Sequence, residues 1–338
     1  MSNLEKDPQE ILEVSGSSLH AVPGLVKGSV VEGSGVERLE PRLVPLGGPR
    51  AMPVRRTLPQ RSRSLIGAWC FLDHYGPDLV SETGGMVVPP HPHTGLQTVT
   101  WLFAGEVDHR DSVGTHALVR PGELNLMTAG SGIQHSEVGT PQTRVMHGAQ
   151  LWIALPDASR QTAPGFERFV PEPFSYEGAT ITVFLGSLLG HTSTARTFTP
   201  IVGAQLDVPA HTRLELPVDP TFEHGILVDA GAPRIDGTDV AAHDLAYLPL
   251  GNDLLVIESG DEPLRALLIG GAPLGERILM WWNFIGRTHD EVVAYRAQWQ
   301  FEVIAGENPG GRFGHVDGYD GRALPAPELP NVRLRPRD

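Results

Sequence analysis

Two stretches decide the fold and mark the first candidate site: HPHTG at residues 91–95 and GSGIQHSE at residues 130–137. On a β-strand, side chains two positions apart lie on the same face, about 6–7 Å from each other along the backbone. His91 and His93 form one such pair, and His135 and Glu137 form a second. If the two strands face each other, three imidazoles and one carboxylate surround a single point. The spacing therefore predicts a mononuclear metal site on a β scaffold.

The donor set leaves the identity of the metal open, because three imidazoles and one carboxylate suit iron, manganese, nickel, copper and zinc. Four protein groups leave positions free on an octahedral ion, as oxygen activation requires. A structural zinc site is usually closed and often contains Cys. We therefore expect one Fe(II) per chain, with other divalent transition metals as the alternatives.

Four further polar side chains lie close to these pairs in the sequence. His109 follows a predicted turn and is expected to form an ion pair there rather than to bind the metal. His116 and His147 are candidates for hydrogen bonds that orient a ligand. Gln97 is a candidate partner of a metal-bound water or of a substrate.

Turn-forming residues punctuate the chain and predict an all-β fold. The 39 Gly and 30 Pro recur between short runs of β-branched or alternating residues, which is the pattern of a β-sandwich or barrel. The predicted strands are 96–103, 116–119, 123–128, 147–154, 180–185, 203–208, 213–217, 225–228, 246–249, 254–259 and 265–269. Only residues 290–302 predict a clear helix, with Thr288 as its N-cap.

Residues 155–173 are rich in turn formers and are predicted to link two β-rich halves. A weak repeat supports the division, because sliding the chain by 126 positions aligns HPHTG with residues 217–221. His91 and His93 then fall on Pro217 and Asp219, so only the first half is expected to hold metal. The predicted parts are a mobile N-terminal extension (1–40) with a short helix near 8–14, an N-terminal domain (41–165), a C-terminal domain (166–305) and a tail (306–338) whose Pro-rich residues 324–338 wrap the surface or are disordered.

The charge balance argues against direct nucleic-acid binding. Lys and Arg number 26 against 40 Asp and Glu, which gives a formal net charge of −14. Nonspecific nucleic-acid affinity depends on Lys and Arg displacing counterions from phosphates. The short basic run 55–63 is interpreted as a solvated turn or strand edge, with a face that binds a protein partner as the alternative.

A single cysteine, Cys70, excludes an intrachain disulfide and a thiolate cluster, and its apolar neighbours predict core packing. The N-terminal residues show no basic stretch followed by an apolar run. No segment approaches the roughly 18 apolar residues of a membrane span. We therefore expect a cytoplasmic protein without a membrane partner.

Around these residues the sequence resembles the pirin family of the cupin superfamily, over about residues 43–301. The blocks that carry the resemblance are HPHTGLQTVT (91–100), GEVDHRDS (105–112), RPG (120–122), MTAGSGIQHSE (127–137), HGAQLWIALP (147–156), PLGE (273–276) and MWWNFIGRTH (280–289). The resemblance implies two tandem cupin barrels of the double-stranded β-helix, or jelly-roll, type. It also implies Fe(II) in the N-terminal barrel, held by the positions that are His91, His93, His135 and Glu137. Many pirins have Glu where this chain has Gln97, a departure that concerns the pocket and not the ligand set.

The resemblance implies two classes of function. In the first, an oxidoreductase of the quercetin 2,3-dioxygenase type, Glu137 accepts the 3-hydroxyl proton of a flavonol and O2 opens the heterocycle with release of carbon monoxide. In the second, a redox-sensing protein changes a surface with its iron state and so binds a transcription factor or a metabolic enzyme. A third alternative is a metal-binding cupin that acts on another small metabolite.

Overall fold

The computed structural model describes residues 35–46 and 52–337, so the helix expected near residues 8–14 lies outside the described residues. The strands of the first half are β1 (Glu37–Leu39), β2 (Arg42–Leu46), β3 (Met52–Leu58), β4 (Trp69–Leu79), β5 (Val87–His93), β6 (Leu96–Ala104), β7 (Val107–Asp111), β8 (His116–Val119), β9 (Leu124–Thr128), β10 (Ile133–Gly139), β11 (Val145–Ala154) and β12 (Gly165–Phe169). Those of the second half are β13 (Phe174–Tyr176), β14 (Ala179–Leu188), β15 (His191–Thr192), β16 (Ile201–Val208), β17 (Arg213–Pro217), β18 (Glu223–Ala230), β19 (Arg234–Ile235), β20 (Thr238–Asp239), β21 (Leu245–Leu248), β22 (Leu254–Glu258), β23 (Leu264–Gly271), β24 (Leu279–Trp281) and β25 (Phe284–Gly286). The helices are α1 (Val80–Thr83) and α2 (His289–Trp299), and a π-helical segment, Gln300–Ile304, continues α2.

Two antiparallel sheets form the N-terminal barrel. The larger has seven strands in the order β12-β9-β6-β11-β4-β3-β2, and the smaller has four in the order β5-β10-β7-β8. Both strands predicted to carry ligands, β5 and β10, are hydrogen-bonded neighbours in the smaller sheet. The two pairs of candidate ligands therefore lie on neighbouring strands of one sheet.

The C-terminal barrel repeats this plan. Its larger sheet has eight strands, β1-β21-β18-β23-β16-β14-β13 with β15 on β14, and its smaller sheet is β17-β22-β19-β20. The offset of 126 positions holds in the structure, because β5 starts at Val87 and β17 at Arg213, and β6 ends at Ala104 and β18 at Ala230. The predicted all-β fold of two tandem cupin barrels is confirmed.

Aliphatic side chains fill the interior of the C-terminal barrel. Its core includes Val202, Leu206, Leu214, Ile226, Val228 and Leu268, all at most 3% exposed. The position that the repeat assigns to His93 is Asp219, which lies in an exposed turn where Oδ1 accepts a bond from the Thr221 amide. The second barrel thus buries aliphatic groups where the first places its histidines.

The two large sheets share one apolar cluster, which joins the barrels. Trp101 of the first barrel stacks on Phe184 of the second at 4.6 Å between ring centroids, and its Nε1 donates to Gln205 at 2.8 Å. Trp69 Nε1 donates to the Gly270 carbonyl at 3.1 Å. Indole rings of this kind bury a large apolar area while satisfying their single donor, which stabilises the junction.

The predicted C-terminal helix is confirmed, with its start at the expected cap. Thr288 Oγ1 accepts a hydrogen bond from the Glu291 amide at 3.2 Å. The α-helix ends at Trp299, three residues earlier than predicted, and a π-helical segment takes its place. No helix in the described parts of the chain is long and apolar enough to cross a membrane.

The tail after the helix lies against the N-terminal barrel. Phe313 is fully buried, and Arg312 donates through Nη1 to the Ser131 carbonyl at 2.6 Å. The Leu324 amide donates to the Pro90 carbonyl at 2.8 Å. The tail therefore crosses the strand that carries the first histidine pair.

Two segments near the predicted domain limits differ from expectation. Residues 37–39, assigned to the extension, form β1, which pairs with β21 of the C-terminal barrel. Residues 155–173, assigned to a linker, contain β12, which pairs with β9 of the N-terminal barrel. The sequences of these two strands lack a clear alternation of apolar and polar residues, and pairing with distant strands stabilises them.

The basic run 55–63 is not wholly solvated, contrary to the first interpretation. Arg56 is 1% exposed, and it forms a two-pronged ion pair with Asp73, Nε to Oδ1 at 2.6 Å and Nη2 to Oδ2 at 2.8 Å. Arg63 lies over the ring of Tyr247, 3.2 Å from its centroid. Arg56 is thus a core residue and cannot belong to a partner-binding face. The prediction for Cys70 is confirmed, since it is buried and burial raises the pKa of its thiol.

Candidate metal centre

Strand register brings the two predicted pairs together. In the β5–β10 ladder His135 lies opposite His91 and Ile133 lies opposite His93, and the register shifts by a bulge between His135 and Glu137. Bulges of this kind re-aim a side chain within a sheet. Glu137 lies opposite His109 on the next strand, β7.

Ligand atoms of His91, His93 and His135 lie within 4.8 Å of one another. The shortest separation joins His93 Nε2 and His135 Nε2 at 3.1 Å. His91 Nδ1 donates to the Pro89 carbonyl at 2.9 Å, which leaves its Nε2 without a proton. That Nε2 is buried and has no hydrogen-bond partner among residues 35–46 and 52–337. The three rings thus form a buried group that includes an uncompensated lone pair.

Burial keeps all three imidazoles neutral. Each is 0% exposed, and desolvation lowers the pKa of His91 to about 3 and those of His93 and His135 well below the usual value. Neutral imidazole is the form that binds a metal. Two nitrogens bound at right angles to one ion at about 2.1 Å would lie about 3.0 Å apart, close to the observed 3.1 Å. The residues present therefore fit a divalent transition ion.

Glu137 borders the histidine group on the side of β7. It is 1% exposed, and its carboxylate lies within 4.8 Å of ligand atoms of both His135 and His109. The Thr100 hydroxyl is 3.5 Å from Glu137 Oε1 and donates to Gln150 Oε1 at 2.8 Å. All four predicted ligands thus lie in one buried region, with Glu137 at its edge.

Aromatic side chains pack against two of the histidines in this region, His93 and His109. Trp152 meets His93 edge to face at 5.0 Å and stacks on Phe71 at 4.0 Å. Phe166 packs on His109 at 4.8 Å. An apolar wall of this kind lowers the local dielectric and strengthens every charge interaction inside it.

Three other predicted polar residues have different roles from those expected. The side chain of His116 is 54% exposed and pairs with Asp108, and His147 contacts Asp229 of the second barrel, so neither orients a ligand. Gln97 donates through Nε2 to Thr128 and to the Arg196 carbonyl, which leaves only its carbonyl oxygen for any other partner. The assignments of His116 and His147 failed because sequence spacing does not reveal which side chains a strand exposes or which ones meet the second barrel.

His109 pairs with Asp111 as expected, at 3.4 Å, but its position differs from the prediction. It lies within strand β7 and not at a turn, is 3% exposed, and its Nδ1 is 3.5 Å from His135 Nδ1. The burial alternation of β7, with residues 107, 109 and 111 buried, carries it into the barrel. The alternating sequence Val107-Asp-His-Arg-Asp111 was the signal that could have found it.

A second buried group, His74, His147 and Asp229, also combines metal-binding residue types. Here His74 Nε2 and His147 Nε2 each lie 2.6 Å from the same Asp229 oxygen. Such distances are too short for two ligands of one ion at about 2.1 Å and suit direct hydrogen bonds. Arg265 Nε donates to the other Asp229 oxygen at 2.6 Å. This group is an ion-paired hydrogen-bond network between the barrels, not a metal site.

Two protein-family models match the chain. The model of the pirin family matches residues 51–153, and that of the pirin C-terminal cupin domain matches residues 203–303. The chain belongs to the pirin family. A Pseudomonas aeruginosa member named "Putative quercetin 2,3-dioxygenase" is 43% identical over 87% of this chain and 91% of its own length.

Solved structures of pirins share the fold. Quercetin 2,3-dioxygenase from Acinetobacter baumannii superposes with a TM-score of 0.82 at 39% identity, covering 89% of this chain and 97% of that one. The Escherichia coli pirin crystallised with nickel(II) superposes with a TM-score of 0.56 at 18% identity, covering 70% and 99%. At that identity the second likeness concerns the fold alone.

Two residues beside the Glu137 carboxylate, Thr100 and Gln150, were not predicted from the sequence. Both are buried, and they lie opposite each other on β6 and β11. Strand 96–103 was predicted, and because Thr98 and Thr100 are two positions apart, they could have been assigned to the same face of that strand. Nothing in the sequence would have paired Gln150 with that face, because the pairing depends on sheet register.

Proposed function

We propose that His91, His93, His135 and Glu137 bind one Fe(II) and that the protein is a quercetin 2,3-dioxygenase. The observation that carries the proposal is the buried group of three neutral imidazoles, one with an uncompensated Nε2 lone pair, beside a buried carboxylate. Three imidazoles and one carboxylate leave positions for an oxygen donor of a substrate. The relatives named as quercetin 2,3-dioxygenases support the choice of a flavonol.

When bound, the ion would lower the pKa of the flavonol 3-hydroxyl and supply the redox chemistry that O2 requires. Glu137 then accepts the 3-hydroxyl proton, since a carboxylate can take a proton while staying in place. Gln150 Nε2 is buried without a hydrogen-bond partner in the described part of the chain, and so can donate to the ketone oxygen of the flavonol. Trp152 and Phe166 exclude water from the ring that opens with release of carbon monoxide.

The metal assignment predicts that purified protein contains about one transition ion per chain. His93→Ala and His135→Ala each remove a buried nitrogen donor, and we expect either variant to lose the ion. His116→Ala is the matched control, because its side chain is 54% exposed and pairs with Asp108. Elemental analysis by mass spectrometry measures occupancy and identifies the metal. Full occupancy in both ligand variants would refute the assignment.

The activity is tested by loss of the quercetin absorbance band together with O2 uptake and carbon monoxide release. Glu137→Gln keeps an oxygen donor but removes the proton acceptor, so we expect turnover to fall by about 10²-fold or more, while the metal content is measured in parallel. An iron-loaded protein that leaves a panel of flavonols unchanged would argue against the enzyme.

Complete burial of the four side chains, at 0–1% exposure, favours a second candidate, a redox sensor that binds a protein partner. Electron transfer needs no large substrate to reach the ion. If this is correct, oxidising the iron changes hydrogen–deuterium exchange at a surface segment of the barrel. Exchange that is identical in the Fe(II) and Fe(III) forms would exclude the sensor.

A further inference from the structure

A chain of three buried side chains runs from the candidate ligand His135 into the neighbouring strand. His135 Nδ1 is 3.5 Å from His109 Nδ1, and His109 Nε2 is 3.4 Å from Asp111 Oδ2. Asp111 Oδ1 accepts the amides of Val113 and Thr115 at 3.0 and 2.9 Å. His109 and Asp111 are 3% and 2% exposed, so water does not compete for these contacts.

The chemistry of Asp111 fixes the position of each proton along this chain. An ionised carboxylate can only accept, so His109 Nε2 carries a proton and donates it. The same neutral ring then presents a bare Nδ1, which accepts from His135 Nδ1. With its proton on Nδ1, His135 turns the lone pair of Nε2 towards His93 Nε2, 3.1 Å away.

We propose that His109 and Asp111 are positioning residues that hold His135 in its metal-binding tautomer and orientation. The inference rests on the proposed metal site, because His109 and Asp111 would act on the ion through His135 and would not contact it. A hydrogen bond to the distal nitrogen of a histidine ligand raises its basicity and restrains its ring. The packing of Phe166 against His109 at 4.8 Å further restrains the middle of the chain.

Asp111→Asn is the sharpest test, because it changes one atom and no volume. The Asn carbonyl can still accept the two turn amides, but its NH2 group faces His109 Nε2. If His109 keeps its proton on Nε2, that N–H faces the NH2 group of the new side chain, and two donors oppose each other. If the proton moves to His109 Nδ1, it opposes the proton on His135 Nδ1 instead. Either arrangement disfavours the metal-binding form of His135. His109→Phe interrupts the chain with a ring of similar shape.

Asp108→Asn is the matched control on the same strand. Its carboxylate pairs with Arg110 and His116 at the surface, so it removes a charge without altering the chain. Each full-length protein is stripped of metal and titrated with Co(II) in competition with a chelator. The visible absorption spectrum is recorded at saturation, and urea unfolding of the apo form is measured.

We expect Asp111→Asn and His109→Phe to bind Co(II) about 10–100-fold more weakly with an altered absorption band, and Asp108→Asn to match the parent. Unchanged affinity and spectrum in Asp111→Asn would overturn the proposal. The proposal would also be overturned if Asp111→Asn bound Co(II) more weakly with an unchanged spectrum and its apo form were much less stable. That result would mean that Asp111 has a structural role. Loss of Co(II) binding in His109→Phe as complete as in His135→Ala would make His109 a ligand instead. Retention of Co(II) by His135→Ala would refute the metal site itself, which separates the two failures.

Discussion

At the scale of single residues, hydrogen-bond geometry separates two buried histidine groups of similar composition. His91 has a protonated Nδ1 bound to a carbonyl and an Nε2 without a partner, so one lone pair is left uncompensated. His74 and His147 both direct Nε2 at one carboxylate oxygen at 2.6 Å. A buried lone pair costs free energy unless a cation or donor meets it. That cost favours a cation beside the first group, as the proposed metal site requires.

His224, in the C-terminal barrel, is a third type of buried histidine. It is 0% exposed, and neither ring nitrogen has a hydrogen-bond partner among the residues that the structure describes. Gly270 lies beside the ring, since a Cβ on that glycine would be 2.8 Å from His224 Cδ2. Burial lowers the pKa of His224 to about 4, so the neutral ring is strongly favoured in the folded protein.

The depressed pKa of His224 predicts that the free energy of unfolding decreases as the pH is lowered. The unfolded chain takes up a proton near pH 6.5, whereas folded His224 does so near 4, so its contribution is complete above 6.5 and is lost between 6.5 and 4. At pH 5 the loss from this group alone is about 2 kcal/mol. Between pH 7 and pH 5, the free energy of unfolding of His224→Leu should therefore decrease by about 2 kcal/mol less than that of the parent. Urea unfolding at the two pH values measures both decreases.

His315→Leu is the control for this measurement, because the His315 side chain is 73% exposed. Its pH dependence should follow that of the parent. If His224→Leu also follows the parent between pH 7 and pH 5, protonation of His224 is not coupled to unfolding.

At the scale of elements, the tail shows how a segment without regular structure can be ordered by packing. Phe313 contacts Trp299 of α2 edge to face at 5.3 Å and lies 6.1 Å from Phe284 of β25. Gln134 Nε2 on β10 donates to the Gly314 carbonyl at 2.5 Å. The tail thus connects α2 to the strand that carries His135.

Phe313→Ala should destabilise the protein by about 3–5 kcal/mol, because it leaves a cavity among aromatic rings that cannot close around it. Phe301→Ala is the matched control, since Phe301 is 56% exposed, and its effect should stay within about 0.5 kcal/mol. Thermal and urea unfolding give both values. Equal effects of the two substitutions would mean that the tail is not docked as described.

At the scale of the whole molecule, the two barrels share apolar rings and one buried charge network. Asp229 of the C-terminal barrel accepts bonds from His74 and His147 of the N-terminal barrel and from Arg265 of its own. Burial opposes ionisation of Asp229, but the hydrogen bonds and charge interactions with His147 and His74 hold the pKa of its carboxyl well below its usual range. Arg265 also lies over Phe103 at 4.4 Å from the ring centroid. Breaking this network would leave buried groups of both barrels without partners.

Asp229→Asn should therefore cost about 3–5 kcal/mol of stability, because it leaves Arg265 without its counter-charge. It should also weaken coupling between the barrels, seen as broadening or splitting of the unfolding transition. Asp239→Asn is the control, since its side chain is 82% exposed and pairs with Arg234 at the surface of the same barrel. A single sharp transition at the parent's midpoint in Asp229→Asn would show that the network does not couple the barrels.

Much of this architecture could be predicted from local pattern. Every strand predicted between residues 96 and 269 has a counterpart within a few residues, since alternation and turn residues are local signals. The helix and its Thr288 cap could be predicted for the same reason. Short strands such as β1 and β12 could not, because their partners are distant in the chain.

The sequence by itself predicted the two tandem β barrels and the four candidate ligands His91, His93, His135 and Glu137, because spacing along a strand dictates which side chains share a face. Only the tertiary structure decided that His109 lies beside His135 while His147 faces the other barrel. The physical reason is that sheet register and the packing of one barrel on another join residues far apart in the chain. No local periodicity encodes those pairings.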